Sequence, residues 1–91
     1  MKRNIVDYER GLDECLRLRP VRFEYNGLGG TPDGERHVRL IADEVEEVLP
    51  EMVEDGEYKA LNPEPLTYAL LNAVKTLAAR IAVLEARLAI Q

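Results

Sequence analysis

A heptad repeat of apolar residues between positions 70 and 88 constrains this chain more than any other feature. The apolar positions are spaced alternately four and three residues apart, which is typical of a helix whose apolar stripe faces another helix. We assign the a positions to Val74, Ile81 and Leu88 and the d positions to Leu70, Leu77 and Leu84. In this register Arg80 occupies a g position and Glu85 the following e position. This is the spacing of interchain salt bridges in parallel coiled coils, so the sequence predicts a parallel coiled coil.

The alternative is an amphipathic helix that packs against its own domain, because most helices of globular proteins carry an apolar stripe. Two observations favour assembly. The pattern continues without a helix stop to the last residues, and only about 60 residues precede it to cover a helix about 36 Å long. Full burial of the six side chains would contribute about 9 to 18 kcal/mol per chain before the entropy of association is subtracted. We therefore expect the last turns of the helix to stand clear of the rest of the chain.

The composition argues against several classes of function. The net charge is -5 and the basic residues are scattered, so a nucleic acid is not an expected partner. No apolar run approaches about 18 residues, so no membrane partner is expected. Cys15 is the single cysteine, which excludes an internal disulfide and fits a reducing cytoplasm. The acidic side chains of Glu44, Glu46 and Glu47 lack nearby histidines and a Ca²⁺-loop pattern, so we interpret them as a solvated face and expect neither metal nor cofactor.

The chain begins with a predicted helix over residues 8–18. Asp7 is placed to cap this helix, and Pro20 follows its end. Its expected inner face consists of Tyr8, Leu12, Cys15 and Leu16. Because the neighbours of Cys15 are apolar, we interpret it as a small buried side chain rather than a reactive thiol.

Strands and a second short helix are predicted next. Apolar and polar residues alternate over 21–26, which indicates a strand with one buried face, and a similar pattern indicates a strand over 36–42. Residues 27–35 hold four glycines and one proline, so we interpret them as a connecting loop. Asp43 is the predicted N-cap of a helix through Leu49, which Pro50 ends.

A hairpin and the long helix complete the predicted architecture. Asp55-Gly56 indicates a two-residue turn in a small hairpin between Met52 and Leu61. Asn62 is the expected N-cap of the long helix, with Pro63 at its first position. The predicted fold class is α+β, a single domain over residues 1–91. A head of short helices and β-hairpins, residues 1–61, precedes a coiled-coil helix, residues 62–91.

Three strings in the chain resemble one known family. Residues 2–5, KRNI, match the end of an opening string S-D-x-R-L-K-x-N-I. Residues 39–53, RLIADEVEEVLPEMV, resemble G-F-I-A-Q-E-V-E-E-V-x-P-E-L-V, with Arg39 and Asp43 in place of glycine and glutamine. Residues 73–77, AVKTL, match A-V-K-x-L in a closing helix. The chain therefore resembles, over nearly its whole length, the intramolecular chaperone domain (peptidase S74 family) at the C-termini of phage tailspikes, endosialidases and tail fibres.

The resemblance implies a domain that follows a fibrous protein, trimerises, aligns three chains in register for folding and is then released by self-cleavage. In the family, cleavage falls just before the opening serine, and a lysine five positions later, which corresponds to Lys2, is implicated as the base. His37 is placed like a functionally important histidine of some members, although pairing with nearby acids explains this histidine equally well. The chain contains no serine. We therefore expect these residues to be proteolytically inert, either as a fragment that starts after the cleavage site or as a version that does not cleave.

The expected partners are further copies of this chain and the preceding fibre or tailspike domain. Val74 and Ile81 at a positions, with leucine at d, favour two-stranded coils in isolated peptides. We nevertheless expect a homotrimer, with a dimer as second choice, because head contacts and the preceding fibre can override the preference of a short heptad run. The resemblance implies assembly in the cytoplasm of an infected bacterial host and a parent protein in the virion tail. Two alternatives stay open: an autoprotease domain that uses Lys2, with or without His37, on an upstream serine, and a coiled-coil adaptor that dimerises its partners.

Overall fold

The computed structural model describes residues 1–26 and 33–90 of the chain. In this part the helices are α1 (Leu12–Arg17), α2 (Ala42–Val48) and α3 (Glu64–Ile90). Two antiparallel hairpins pair β1 (Val21–Asn26) with β2 (Asp33–Arg39) and β3 (Val53–Glu54) with β4 (Ala60–Leu61). A 3₁₀ turn at Pro50–Met52 leads from α2 into β3. The predicted α+β class is confirmed, with the short elements first and the long helix last.

The core of the head is an apolar cluster formed by α2, the 3₁₀ turn and α3. It consists of Val45, Val48, Leu49, Met52 and Ala69. The first four belong to the string over residues 39–53, where their spacing places them on one side of the chain. The short elements of the head therefore converge on α2 and on one turn of α3.

Helix α2 lies where the sequence predicts it, but its N-cap differs. Ile41 occupies the cap position and Asp43 lies in the first turn, where a negative charge is favourable because of the helix dipole. The carboxylate of Asp43 instead accepts a hydrogen bond from Lys59 Nζ at 3.0 Å. The helix ends at Val48, shortly before Pro50, which has no amide hydrogen to continue it.

Helix α1 is shorter than predicted, so the expected start at Tyr8 with Asp7 as cap is wrong. The helix follows Gly11, whose amide donates a hydrogen bond to Glu14 Oε1 at 2.8 Å. The residues before Gly11 are held outside the helix because Asn72 of α3 binds two of their carbonyl groups. Tertiary contacts therefore override the local helix signal.

The inner face of α1 is narrower than the sequence predicts. Leu12 is buried and Cys15 packs partly buried against the core, as expected. Leu16 is 73% exposed, so its predicted place on the inner face is wrong. Burial, with a smaller effect of Glu14, raises the pKa of the Cys15 thiol, which is the behaviour of a packing residue.

The β1–β2 hairpin confirms the first predicted strand and corrects the second. Val21 lies opposite Arg39, and Phe23 lies opposite His37. Strand β2 begins at Asp33 rather than at residue 36, and it ends before α2 takes over at Ala42. The predicted loop over 27–35 is therefore wrong for residues 33–35, and its residues 27–32 lie outside the described part of the chain.

The β3–β4 hairpin is present, but its predicted two-residue turn is wrong. Val53 pairs with Leu61 and Glu54 with Ala60, so residues 55–59 all belong to the connection. This longer connection brings Lys59 to α2, where its ammonium group contacts Asp43 at 3.0 Å and Glu46 at 3.1 Å.

Helix α3 begins at Glu64, one residue later than predicted, so Pro63 occupies the cap position and not the first helical position. The side-chain oxygen of Asn62 accepts a hydrogen bond from the Glu64 amide at 3.1 Å, and the Pro63 carbonyl accepts the first helical bond, from Thr67, at 3.2 Å. The helix then runs for 27 residues. It packs against α1 and the core only near its start, since residues 77–90 are all exposed.

The projecting helix makes the molecule elongated. Its principal extents are 60 × 39 × 21 Å and its Cα radius of gyration is 18.1 Å, whereas a compact domain of this length has a radius of about 12 Å. The prediction that the last turns stand clear of the head is thus confirmed. Within residues 1–26 and 33–90, no helix is both long and apolar enough to cross a membrane.

Candidate assembly surface and processing residues

The predicted apolar stripe of α3 is exposed along its whole length. Its side chains are between 45% and 68% exposed, although leucine, isoleucine and valine are among the residues most often buried. We call this stripe the seam; it consists of Leu70, Val74, Leu77, Ile81, Leu84 and Leu88. Because a helix has about 3.6 residues per turn, these positions stay on one side of it. The seam is therefore a continuous apolar surface.

A different side of α3 contacts the head. The buried residues of this helix are Ala69 and Ala73, whose small side chains allow a close approach. At about 100° per residue, this side lies roughly a quarter of a turn from the seam. The head therefore packs on alanines and leaves the seam exposed, so the alternative of a stripe packed on its own domain does not describe this chain.

The two charged residues predicted to form interchain salt bridges flank the seam. Arg80 and Glu85 are exposed, and in the described part of the chain neither forms an ion pair. Arg80 also lines a groove of about 380 Å³ beside the seam, together with Ala79, Val83, Leu84 and Arg87. Both charges are accessible to a second chain.

Lys2 lies in an N-terminal segment that precedes the first helix. Residues 1–9 of this segment are exposed, Lys2 among them. Ile5 and Val6 are 81% and 83% exposed. A lysine base is usually activated by burial beside apolar groups. In this arrangement such groups would have to come from a second copy or from an upstream segment.

His37 lies in β2, away from the N-terminal segment along the chain. It is half-buried, and its ring stacks on Phe23 with centroids 5.9 Å apart and planes inclined by 29°. The cavity beside it is lined by Arg22, Arg36 and Val38, and Lys2 is not part of that lining. The structure therefore does not bring the two suggested catalytic residues together at this cavity.

Sequence reasoning missed a cluster that holds the N-terminal segment against the head. Asn72 Nδ2 donates hydrogen bonds to the carbonyl oxygens of Tyr8 and Arg10, each at 2.8 Å. The Tyr8 hydroxyl donates to Glu51 Oε2 at 2.7 Å, and Arg10 Nε lies 3.4 Å from the same oxygen. We call Tyr8, Arg10, Glu51 and Asn72 the clamp. Its one sequence signal was an asparagine inside a helical pattern, where asparagine is a weaker helix former than alanine or leucine.

The clamp contains two groups that can lose a proton, the Tyr8 phenol and the Glu51 carboxyl, and their pKa values are shifted in opposite directions. Burial, the hydrogen bond to Glu51 and the charge of Glu51 raise the pKa of Tyr8 to about 12. Burial acts to raise the pKa of Glu51 as well, but the hydrogen bond from Tyr8, a backbone hydrogen bond and the nearby Arg10 lower it overall. Around neutral pH the clamp therefore holds a protonated phenol against an ionised carboxylate, which is a charge-assisted hydrogen bond.

A comparison with protein families decides to which group the chain belongs. The family model for peptidase S74, described as the chaperone of endosialidase, matches residues 1–54 of the 91. The chain belongs to this family. The suspected family is thus confirmed, and the resemblance is supported over residues 1–54. This part contains the N-terminal segment, the β1–β2 hairpin and the four core residues of the string over 39–53.

Helix α3 lies beyond the residues that the chaperone of endosialidase family model matches. The seam and Asn72 are therefore assigned from the structure of this chain and not from the family match. A comparison with curated proteins returned no match.

Proposed function

We propose that this member of the chaperone of endosialidase family is an assembly module that trimerises through α3 and holds three copies of a preceding fibre or tailspike chain together while they fold. The exposure of the seam carries this proposal. Side chains at heptad spacing remain 45% to 68% exposed while α3 uses alanines against its own head. A parallel coiled coil would remove this apolar surface from water.

The benefit of such an assembly is an increase in local concentration. When α3 helices associate, the chains attached to their heads are brought to an effective concentration in the millimolar range. Slow pairing between strands of different chains then behaves as a nearly intramolecular reaction. This mechanism needs only a specific helix interface and a firm connection from the helix to the preceding chain.

We propose a trimer rather than a dimer because contacts between heads can override the preference of the short heptad run. The β-branched residues at the a positions favour two strands in isolated peptides. In this chain, however, the head packs beside Ala73, which is a g position next to the seam. Heads of neighbouring copies would therefore lie close to the helix interface, where they add contacts that isolated peptides lack.

Light scattering on the purified chain tests the proposal. The expected mass is that of three chains of 10.3 kDa each. A dimer would favour the adaptor function instead. A monomer at all concentrations would contradict assembly through the seam altogether.

Release by self-cleavage is the second part of the proposal, and it is supported by the membership of the chain in the peptidase S74 family. The nucleophile would be the hydroxyl of a serine upstream, which attacks the carbonyl carbon of the peptide bond before it while Lys2 accepts the hydroxyl proton. The C–N bond then breaks, the serine nitrogen leaves as an amine that takes this proton, and water hydrolyses the resulting ester to release the preceding chain. Burial of Lys2 on assembly would link cleavage to completed folding. We place these events in the cytoplasm of an infected bacterium, with the parent protein in the virion tail.

A further inference from the structure

The clamp joins the N-terminal segment to the same helix that carries the seam. Asn72 lies between the seam residues Leu70 and Val74 along α3, on the side that faces the head. Its side-chain nitrogen bonds to the carbonyl oxygens of Tyr8 and Arg10, each at 2.8 Å. Two contacts to alternate carbonyls fix both the position and the direction of an extended segment.

We propose that Asn72 is a positioning residue. Its two hydrogen bonds fix where the N-terminal segment lies along the axis of α3. Chains that assemble through the seam would then present their N-terminal segments at the same height along the assembly. This consequence rests on the proposed function, whereas the contact itself belongs to the single chain. Through Asn72, the alignment of the α3 helices in the assembly would therefore also align the chains that are attached upstream of the N-terminal segments.

The other clamp contacts do not provide this link. Tyr8 and Arg10 reach Glu51 through exposed side chains, and exposed ion pairs contribute little. Glu51 belongs to the 3₁₀ turn, which carries no part of the seam. The Asn72 contacts connect backbone on one side to α3 on the other, so they respond directly to the position of the helix.

The packing around Asn72 supports the same conclusion. A Cβ added to Gly11 would lie 3.2 Å from Asn72 Cβ, which is tighter than ordinary van der Waals contact. The φ angle of Gly11 is -164°, an extended conformation open to any residue, so the requirement at Gly11 is for space. An alanine at position 72 would keep the Cβ atom that faces Gly11 and would lose the carboxamide nitrogen that makes both hydrogen bonds.

Trypsin cleavage after Arg10 measures the contact in the complete chain. This bond leads into buried Gly11, so cleavage requires local opening of the clamp. Replacing Asn72 with alanine should raise the rate of this cleavage roughly five- to hundredfold, since it removes two hydrogen bonds. Thr76→Ala is the matched control, because Thr76 lies one turn further along α3 and lines a surface cavity together with Asn72 and Gly11. Cleavage of Asn72→Ala at the wild-type rate would overturn the proposal.

Distances between spin labels test the consequence for register. Glu9 is exposed within the clamped segment, so a label on Glu9→Cys in a Cys15→Ala background reports the separation of N-terminal segments. We expect a narrow distribution of interchain distances that becomes at least twice as wide with Asn72→Ala, at unchanged oligomer mass. An unchanged width would refute the transfer of register.

The two measurements separate this inference from the proposed function. If the wild-type chain shows no interchain distances because it is monomeric, the proposed function fails, and the register consequence fails with it. The trypsin comparison would still decide whether Asn72 positions the N-terminal segment on α3.

Discussion

Ala73 and Leu77 lie one turn apart on α3, yet Ala73 is 5% exposed and Leu77 is 45% exposed. The border between the head-facing side and the seam therefore runs between neighbouring residues of a single helix. A small side chain lies where the head approaches, and a large one lies where the head is absent. This separation leaves the seam free of contacts with the head.

Replacing Leu77 with aspartate should abolish assembly. The change removes about 1.5 to 3 kcal/mol of apolar burial per chain and places a charge inside the interface. Light scattering should report monomers at concentrations where the wild type is assembled. Ala86→Asp introduces the same negative charge at an exposed position outside the seam, and this variant should keep the oligomer mass of the wild type. Retention of that mass by Leu77→Asp would show that the heptad assignment is wrong.

The side of α3 that faces the head, which carries Ala69 and Ala73, should not accommodate larger side chains. Ala69 is fully buried in the core cluster, so Ala69→Leu should lower the free energy of unfolding by about 1 to 3 kcal/mol through overpacking. Urea denaturation at a fixed protein concentration measures this loss, since concentration affects the stability of oligomers. The exposed Ala82 supplies the control, and an equal effect of Ala82→Leu would argue against close packing at Ala69.

The core of the head should depend on Leu49 and not on Leu16. Leu49 is fully buried, whereas Leu16 is largely exposed. Leu49→Ala should therefore cost about 2 to 5 kcal/mol of unfolding free energy, and Leu16→Ala should stay within about 0.5 kcal/mol of the wild type. Calorimetry or denaturant titration distinguishes the two. A large loss of unfolding free energy in Leu16→Ala would instead support the sequence-based prediction that Leu16 lies on the inner face of α1.

The free energy of unfolding should fall in strongly alkaline solution, because the clamp stabilises the fold only while Tyr8 is protonated. The pKa of Tyr8 is about 12 in the folded chain, against an ordinary value of 10.0. A raised pKa means that the folded state favours the protonated phenol. Its contribution to stability is therefore present below about pH 10 and is lost as the pH rises toward 12.

Absorbance at 295 nm follows this titration, because it reports tyrosinate. Of the four tyrosines, Tyr8 should account for a step that occurs well above pH 10 in the folded protein. The step should vanish in Tyr8→Phe and move toward lower pH in Glu51→Gln, which removes the charge beside the hydroxyl. Persistence of the late step in Tyr8→Phe would assign it to a different tyrosine.

Self-cleavage should appear when a serine is placed five positions before Lys2. A carrier protein followed by Ser-Asp-Ala-Arg-Leu in place of Met1 recreates the opening string of the family ahead of Lys2. We expect release of the carrier, seen as two bands on a denaturing gel, and loss of release in Lys2→Ala. Lys75→Ala, on the exposed surface of α3, should cleave normally. Cleavage that survives Lys2→Ala would remove this lysine from the mechanism.

Local patterns in the sequence predicted much of this fold. The heptad spacing located the seam, Asn62 and Pro63 marked the start of α3, and alternation marked β1. These features depend on residues a few positions apart, because helix and strand periods place such residues on one side. The string over 39–53 also indicated the family, and four of its apolar residues form the core of the head.

Tertiary structure alone decided how these elements meet. Helix α1 begins at Leu12 rather than at Tyr8 because Asn72, more than sixty positions away in sequence, binds the carbonyls that a longer helix would use. The side of α3 that faces the head was likewise set by the close approach of the helix near Gly11 and the core. Such contacts join distant parts of the chain, and no periodic pattern within a few residues encodes them.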